Sequence, residues 1–481
     1  MAYDVLIIGS GIIGTSIARE LSKFKANILV LDKENDVSCG TTKANSGIVH
    51  AGFDAKPGSR KAFFNVLGAR MFKALKEELD FPYEENGAFV LSFSEDGHDT
   101  LLELLDRAEK NGVDECSIIS GDEVRRIEPN VSKDVVEALY AKTSGIVSPY
   151  EMAIAMAENA GANGVKFEFN KEVVSLKKNG SLFEIKTKDG SLYEAKVVVN
   201  AAGVHSDEIN NLISKNKYEI KGRKGEYVLL DKEYSYISNT TLFQLPTKMG
   251  KGILVTPTCH HNILVGPTAL DIDNKDNTWT TYDGLLEAFQ KGTLSVPSLP
   301  RGGIITQFSG IRAHESHDDF TVEFSKDVEG LYNLIGIESP GLASSPAIAT
   351  YAAKEIADYL KLLVNPDFNP IRKGIKHISH MNAAELKEAI KENPLYGHVI
   401  CRCEVVSEAE IREAIRRYPG AKDLDGVKRR VRAGMGRCQM GFCTPRIMEI
   451  LSEELNLSLE DITKKGEGSK IVVGGIKEWN T

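Results

Sequence analysis

Val5 to Ile8 are four apolar residues with no polar break, the pattern of a strand buried on both faces. Gly9-Ser10-Gly11-Ile12-Ile13-Gly14 follows, and from Thr15 to Phe24 the apolar positions return at helical spacing, with Ile17, Ala18 and Leu21 on one face. Ile28 to Leu31 is a second apolar strand, so the chain opens with a βαβ unit. Arg60 to Leu79 predicts an amphipathic helix whose Phe63, Phe64, Leu67, Met71 and Leu75 face a core rather than a lipid surface. Phe89–Phe93, Val165–Phe169 and Phe183–Thr187 read as strands of a mixed sheet. Val197–Val199 is a further buried strand, running into Asn200-Ala201-Ala202-Gly203. From about 218 to 325, β-branched and aromatic residues alternate with turn residues, which predicts a largely antiparallel layer. Leu331 to Gly336 is again apolar and enters Ser339-Pro340-Gly341-Leu342-Ala343-Ser344-Ser345-Pro346, then a helix to about Leu363.

Beyond 365 the pattern changes. Two prolines and Gly374 mark a linker, taken as 366–395, before a small unit at 396–455 and a tail at 456–481. Residues 401–446 hold eleven Lys/Arg against six Asp/Glu, in a chain of net charge −9, and this sign change supports a domain boundary. With 481 residues, 42% hydrophobic and 26% charged, the chain is an ordinary multi-domain globular protein rather than a fibrous or disordered one. Its mild acidity argues against a whole-protein grip on nucleic acid. The N-terminus lacks a basic n-region and no apolar run reaches membrane-spanning length, so the expected location is cytoplasmic, with peripheral attachment to the inner face of the cell membrane left open.

Gly9, Gly11 and Gly14 fit the dinucleotide fingerprint, in which the glycines allow a tight turn, close backbone approach to a pyrophosphate, and close helix–strand packing. The context is right: a strand before, a helix after, and Asp32 with Lys33 at the end of the second strand, where an acid takes ribose hydroxyls. The small-residue loop from Ser38 to Gly52, with Thr41, Thr42, Asn45, Ser46 and Gly47, suits a flat ring lying against backbone. Gly341 to Ser345 would place a second helix N-terminus where a reduced flavin carries charge. Three separated segments of this kind point to FAD rather than NAD.

On Asp4–Asp32, Asn45-Ser46-Gly47 with His50-Ala51-Gly52, Val197–Gly203 and Ser339–Pro346, the chain from 1 to 365 resembles the D-amino-acid-oxidase-type flavoprotein superfamily. The resemblance implies an α/β fold: a Rossmann-like FAD-binding domain interleaved with an antiparallel-sheet substrate domain. It also implies that Val173 meets the adenine and that Gly203, Gly341, Leu342 and Ala343 lie near the cofactor.

Four of the seven cysteines fall within 401–443. Cys401-x-Cys403 and Cys438-x₄-Cys443 form two close pairs suited to four-thiolate coordination of zinc or an iron–sulfur cluster. Each pair must come from a loop, and Ser407 with Glu410 predicts the cap of a helix from Glu408 to Arg417 between them. Cys401-Arg402-Cys403-Glu404 and Gly434-Met435-Gly436-Arg437-Cys438-Gln439 resemble the bacterioferritin-associated-ferredoxin-like 2Fe–2S domain attached to some flavin dehydrogenases, which implies a small α-rich cluster domain and places zinc second. Cys39, Cys116 and Cys259 stay unassigned.

Oxidation of an alcohol needs a base for the hydroxyl proton and a cation for an anionic substrate. His50, Arg312 and His314 lie on segments expected at the site, and the resemblance adds Tyr227 and gives Arg312 the substrate's oxygen or acid group. His260-His261 reads as a loop pair. The architecture, flavin domain plus cysteine unit, resembles the anaerobic glycerol-3-phosphate dehydrogenases. The local motifs of the first 365 residues are closer to L-2-hydroxyglutarate dehydrogenases. Those of the former kind usually carry Gly-Gly-Lys near the last FAD segment and an Arg soon after the loop His; here Ser339-Pro340-Gly341 and Phe53-Asp54 stand there. The expectation is therefore a FAD-dependent dehydrogenase of a small anionic alcohol, glycerol 3-phosphate first and L-2-hydroxyglutarate as the alternative, with electrons leaving through the cluster to an electron-acceptor protein or quinone-linked subunit, in a hetero-oligomer. An amine- or amino-acid-oxidising subunit of a heteromeric complex is the third reading.

Overall fold

The computed structural model describes residues 2–246 and 252–475, so the end of the predicted tail lies outside the described residues. Tyr3–Ile8 is the centre of an eight-stranded sheet and pairs in parallel with Ile28–Leu31 on one side and Leu192–Asn200 on the other. Lys166–Glu168 extends the parallel run past Ile28–Leu31, and Leu331–Ile335 extends it past Leu192–Asn200. Strand Val5–Ile8 is buried throughout because helices cover one face and the meander Val173–Thr187 leans on the other. The helices Ile12–Leu21, Arg60–Leu79, Pro149–Ala162 and Gly341–Leu360 share one apolar core. Helix Arg60–Leu79 turns Phe64, Phe72 and Leu75 into it; Phe63 and Leu67, expected on the same face, are exposed.

The second sheet has nine strands. Its spine is the antiparallel ladder of Ile220–Leu230 with Ile304–Glu315, in register from Ile220 opposite Glu315 to Leu230 opposite Ile304. This register sets Arg312 opposite Arg223, and Tyr227 opposite Phe308. Three strands from earlier in the chain, Ala88–Ser92, Cys116–Ser120 and Glu137–Ala141, join the same sheet. The interleaving thus reaches well outside 218–325, and Thr321–Phe324 belongs to the first sheet.

The C-terminal unit has its own core, built from Ile411, Val427, Ile447 and Leu451 on the helices Glu408–Arg416, Leu424–Val431 and Thr444–Leu455. Ser407 and Glu410 form the predicted capping box. The stretch 366–395 is tied down: Arg372 donates to Glu158 at 2.8 Å and to the carbonyls of Leu79 and Asp80, and Ala383–Glu392 is a helix capped by Asn382. That helix was not visible as a pattern because only Ala389 on it is buried.

Candidate active site

A cavity of about 2520 Å³ is lined by the Gly9–Gly11 turn, by the loop from Gly40 to Gly47, and by strand residues Phe308–His314. It exceeds by far what a three- to five-carbon substrate needs, so it holds a large cofactor and a substrate together. Gly9 sits at φ 105°, and a Cβ there would meet the Ala201 carbonyl at 2.4 Å; the turn is therefore open to glycine alone. Asp32 Oδ2 accepts from the Ser10 amide and hydroxyl, both at 2.6 Å, and Oδ1 from the Glu34 amide at 2.9 Å. Burial pushes the Asp32 carboxyl up and these donors work against it. Lys33 instead reaches outward to Asp276 and His205 at the cavity rim.

The flavin loop is held by its own side chains. Thr42 Oγ1 accepts the Ile12 amide at 3.0 Å, Asn45 donates to the carbonyls of Thr41 and Thr42 and accepts from Gly47, and Thr41 donates to the Ile311 carbonyl at 2.6 Å. That last bond ties the loop to the substrate sheet. The contact is close because Gly310 has no side chain: a Cβ there would stand 1.8 Å from the Ala44 carbonyl. Val173, Gly203, Gly341 and Leu342 line the cavity, whereas Gly14 packs beneath Gly9 and Ala343 lies one residue further into its helix. The geometry fits FAD: an acid at the ribose position, a glycine turn at a helix N-terminus, and a second helix N-terminus at Gly341 facing the same space.

At the substrate end, Arg312 Nη2 donates to the Thr268 carbonyl at 2.8 Å and Nε to the Arg223 carbonyl at 3.4 Å. Among the described residues it has no carboxylate partner, whereas neighbouring Arg223 is paired to Asp271 at 2.7 Å. Tyr227 is buried, stacked on Phe308 with ring centroids 4.8 Å apart, and bonded to Ser46. Burial pushes its phenol up, with Arg312 and Ser46 pulling the other way. His50 is buried in the flavin loop, stacks on Phe243 at 5.6 Å, and its carbonyl accepts from Asn65 at 2.6 Å. His314 shares the cavity-facing side of Arg312's strand, two residues on. Its Nδ1 lies 3.0 Å from Glu338, in a group with Asp318 that has the spacing of metal ligands. Lys61 already fills this group, 2.7 Å from Asp318 and 3.1 Å from Glu338, so it is an ion-pair network at the rim.

His260 is no idle loop residue. It is half-buried against Glu151 at 2.7 Å, where loss of solvent lowers its pKa and Glu151 opposes the shift. The neighbouring Tyr150 hydroxyl accepts from Arg432, which also donates to Glu404, the residue after Cys403. Flavin cavity and cysteine unit are thus joined by one polar network that sequence spacing could not reveal. Met435 and Gln439, from the second cysteine loop, line the cavity as well.

Cys401 closes a hairpin strand and its thiol faces that of Cys443, at the start of a helix; Cys403 and Cys438, both in turns, face each other, and none of the four is in a disulfide. The Cys443 contact, with amides of Gly434 and Glu404 outweighing burial, brings the Cys401 thiol down to about 6, the direction a metal-binding thiolate requires. No three of the sulfurs lie within 4.8 Å of one another, whereas one tetrahedral zinc with bonds of about 2.3 Å would gather all four. Two separated pairs suit two irons. Burial pushes Cys39 up to about 12 and Cys116 up to about 11, so both are protonated and unreactive near neutral pH.

Known proteins agree with this geometry. The family model for FAD dependent oxidoreductases (DAO) matches residues 4–355, and that for the BFD-like 2Fe–2S binding domain matches 399–453. The chain is 46% identical over 476 residues, 99% of each chain, to a protein of Caloramator mitchellensis named glycerol 3-phosphate dehydrogenase. It is 32% identical over 273 residues, 56% of this chain and 64% of that protein, to an L-2-hydroxyglutarate dehydrogenase of Escherichia coli. Among solved structures, an L-alpha-glycerophosphate oxidase from Mycoplasma pneumoniae with FAD bound superposes with a TM-score of 0.74 at 29% identity, covering 77% of this chain and 98% of that one. The 2Fe–2S match, with the paired sulfurs, sets the zinc alternative aside. The chain belongs to the FAD dependent oxidoreductases of the DAO family, extended at its C-terminus by a BFD-like 2Fe–2S binding domain.

Proposed function

We propose that this oxidoreductase converts glycerol 3-phosphate to dihydroxyacetone phosphate. The observation that carries the reading is the 46% identity along both domains to a protein of that activity. Bound flavin supplies the two-electron acceptor, and the 2Fe–2S cluster the one-electron outlet. Arg312, oriented by two carbonyls and not neutralised by a carboxylate, holds the substrate's phosphate. His50 takes the hydroxyl proton: it is buried and packed in the flavin loop, whereas His314 is committed to Glu338 beside exposed Asp318 and is the wetter choice. Tyr227 walls the site and, with its phenol pushed up, stays protonated.

For the cations missing beside His50 and Gly341, Arg107 reaches the same cavity from another helix, whereas Lys61 there is already paired with Asp318 and Glu338. L-2-hydroxyglutarate is the second reading, favoured by the flavin-loop motifs and by relatives matched over 56% of the chain. The one-electron outlet of a 2Fe–2S cluster suits a one-electron protein carrier or a quinone-linked subunit as acceptor; no helix among the described residues is long and apolar enough to cross a membrane.

Anaerobic titration of the bound flavin decides between substrates. Glycerol 3-phosphate is expected to bleach it within one turnover, and L-2-hydroxyglutarate and amines are not; bleaching by L-2-hydroxyglutarate alone overturns the proposal. His50→Asn is expected to slow bleaching about 10²- to 10⁴-fold, the usual contribution of a general base. An equal loss with His314→Asn and none with His50→Asn would exchange their roles.

A further inference from the structure

The residues just beyond the 2Fe–2S domain match form a small turn. Thr463 bridges to Lys470, and the Lys464 amide donates to the Ser469 carbonyl at 2.8 Å. The turn is fastened to the helix Leu424–Val431: the amides of Leu424 and Asp425 donate to the carbonyls of Thr463 and Lys464 at 3.2 and 2.9 Å. Its Gly466 lies against Asn35, which donates to Asp423 at 2.6 Å. Asn35 is three residues past Asp32, so helix and turn lie beside the nucleotide end of the large cavity. Lys428, Arg429 and Lys464 line that cavity together with Gly11, Asp32 and Lys43.

These cations are poorly compensated. Among the described residues only Asp425 pairs with Lys428, and only at 3.8 Å. Burial pushes the Lys428 pKa down, Asp425 opposes this, and Lys464, Arg429 and Lys43 add to the fall. Arg429, 4% exposed, is better served than the lysines: it donates to Asp36 at 2.7 Å, a carboxylate it shares with Arg430, and Asp423 faces it as well, though among the described residues its Nε has no partner. Lys43 and Lys464 make no ion pair among the described residues. Among the described residues Lys43, Lys428 and Lys464 thus have no carboxylate nearer than Asp425 at 3.8 Å, and like charges gathered in this way attract an anion. Lys43 directly follows Thr42, whose hydroxyl meets the first amide of the helix Ile12–Leu21. The cations therefore converge beside the Gly9–Gly11 turn, where a dinucleotide's pyrophosphate lies.

We propose that Lys428, Arg429 and Lys464 of the C-terminal unit bind the pyrophosphate of FAD, together with Lys43 and the Gly9–Gly11 turn. The cofactor site is then assembled from both ends of the chain, and the cluster unit closes over it. Cofactor binding and docking of the cluster unit strengthen each other by the same factor, as linkage requires.

The test uses the full-length protein carrying its cluster, stripped of FAD and titrated back, with ADP and adenosine as competing probes. In Lys428→Gln/Lys464→Gln, FAD and ADP are expected to bind at least about tenfold more weakly, with a shallower salt dependence, while adenosine binding and the visible spectrum of the cluster are unchanged. Lys464→Gln alone, on an exposed turn, gives the same direction if the double variant does not fold. In the unsubstituted protein FAD is expected to slow amide exchange in 424–431 and 463–470. Unchanged FAD and ADP affinity overturns the proposal. So does an equal loss for adenosine, which would make the lysines props of the fold rather than phosphate ligands, and so does exchange that FAD does not slow.

Discussion

Arg312 and Arg430 are both drawn away from solvent, and the protein treats them in opposite ways. Arg430 sits at the seam between the cluster unit and the flavin body, where Asp36 accepts both of its terminal nitrogens at 2.7 and 2.8 Å. Each side chain there is 1% exposed. Arg312 lines the cavity and, among the described residues, is held by backbone carbonyls alone. A carbonyl orients a guanidinium without cancelling its charge; a carboxylate does both. The first arrangement waits for an anionic ligand and the second holds two parts of a molecule together.

Three of the predictions set these two arginines apart, and the largest effect on turnover belongs to Arg312. Removing one side of a desolvated charge pair costs about 2–5 kcal/mol, so Arg312→Ala is expected to lower kcat/KM with the anionic substrate roughly 30- to 4,000-fold. FAD content and unfolding midpoint should stay as they are. Arg312→Lys should recover only part, because a point charge does not reproduce the fork. If stopped-flow flavin reduction is unchanged in Arg312→Ala, Arg312 is structural and the contrast with Arg430 collapses.

Next comes Asp36→Asn, which leaves two buried guanidiniums facing each other. Breaking a buried pair in this way costs about 3–5 kcal/mol. Urea unfolding followed at the cluster's visible band should shift to lower denaturant, with the amide of Asn unable to restore it. A loss no greater than that of a surface substitution would mean that the seam holds by packing alone.

The same carboxylate predicts an acid limit. Burial alone would raise the Asp36 carboxyl, but Arg430 and Arg429 outweigh it and hold it at about 2. In the unfolded chain it titrates near 3.9. A depressed folded value means that its contribution is complete above about pH 4 and drains away as pH falls towards 2, by about 2 kcal/mol in all. Unfolding midpoints between pH 6 and 2.5 should show this fall in the unsubstituted protein and lack that portion in Asp36→Asn.

The contrast also explains what could be read in advance. Gly9, Asp32 and Asn45 were legible because a dinucleotide site is local: a strand, a turn and a helix within one stretch, with chemistry fixed by backbone. Cys401, Cys403, Cys438 and Cys443 were legible because thiol pairs advertise their spacing. Arg312's neighbours were not. Gly310 against Ala44, and Thr268 beneath the guanidinium, depend on a register between strands some 80 residues apart in the chain, such as Arg223 with Arg312. The Lys/Arg excess of 401–446 was visible but marked only a domain boundary; Asp36, which takes Arg429 and Arg430, and Lys43, the like charge near Lys428, lie in the flavin domain, where no local pattern points. Likewise Ala88–Ser92 gave no sign that it would cross to the substrate sheet, because an apolar run fits either layer.

The smallest effect belongs to a pair at the same seam that looks as strong on paper. Arg437, next to Cys438, reaches Asp231 at 3.0 Å and also meets Glu233, yet its side chain is 62% exposed. Water already solvates the guanidinium and Glu233, and Asp231, though only 12% exposed, also accepts the Glu233 amide, so little is gained by bringing Arg437 to them. Arg437→Ala is expected to leave the unfolding midpoint within error of the unsubstituted protein. Whatever difference appears at low salt should vanish at about 1 M, where the Debye length is about 3 Å. The Asp36→Asn loss should persist at the same salt, since a buried pair is barely screened. Were Arg437→Ala to weaken the seam as much as Asp36→Asn, at high salt as well as low, then burial would not be what separates a structural arginine from an idle one, and the reading of Arg312 as a cation awaiting its anion would lose its main support.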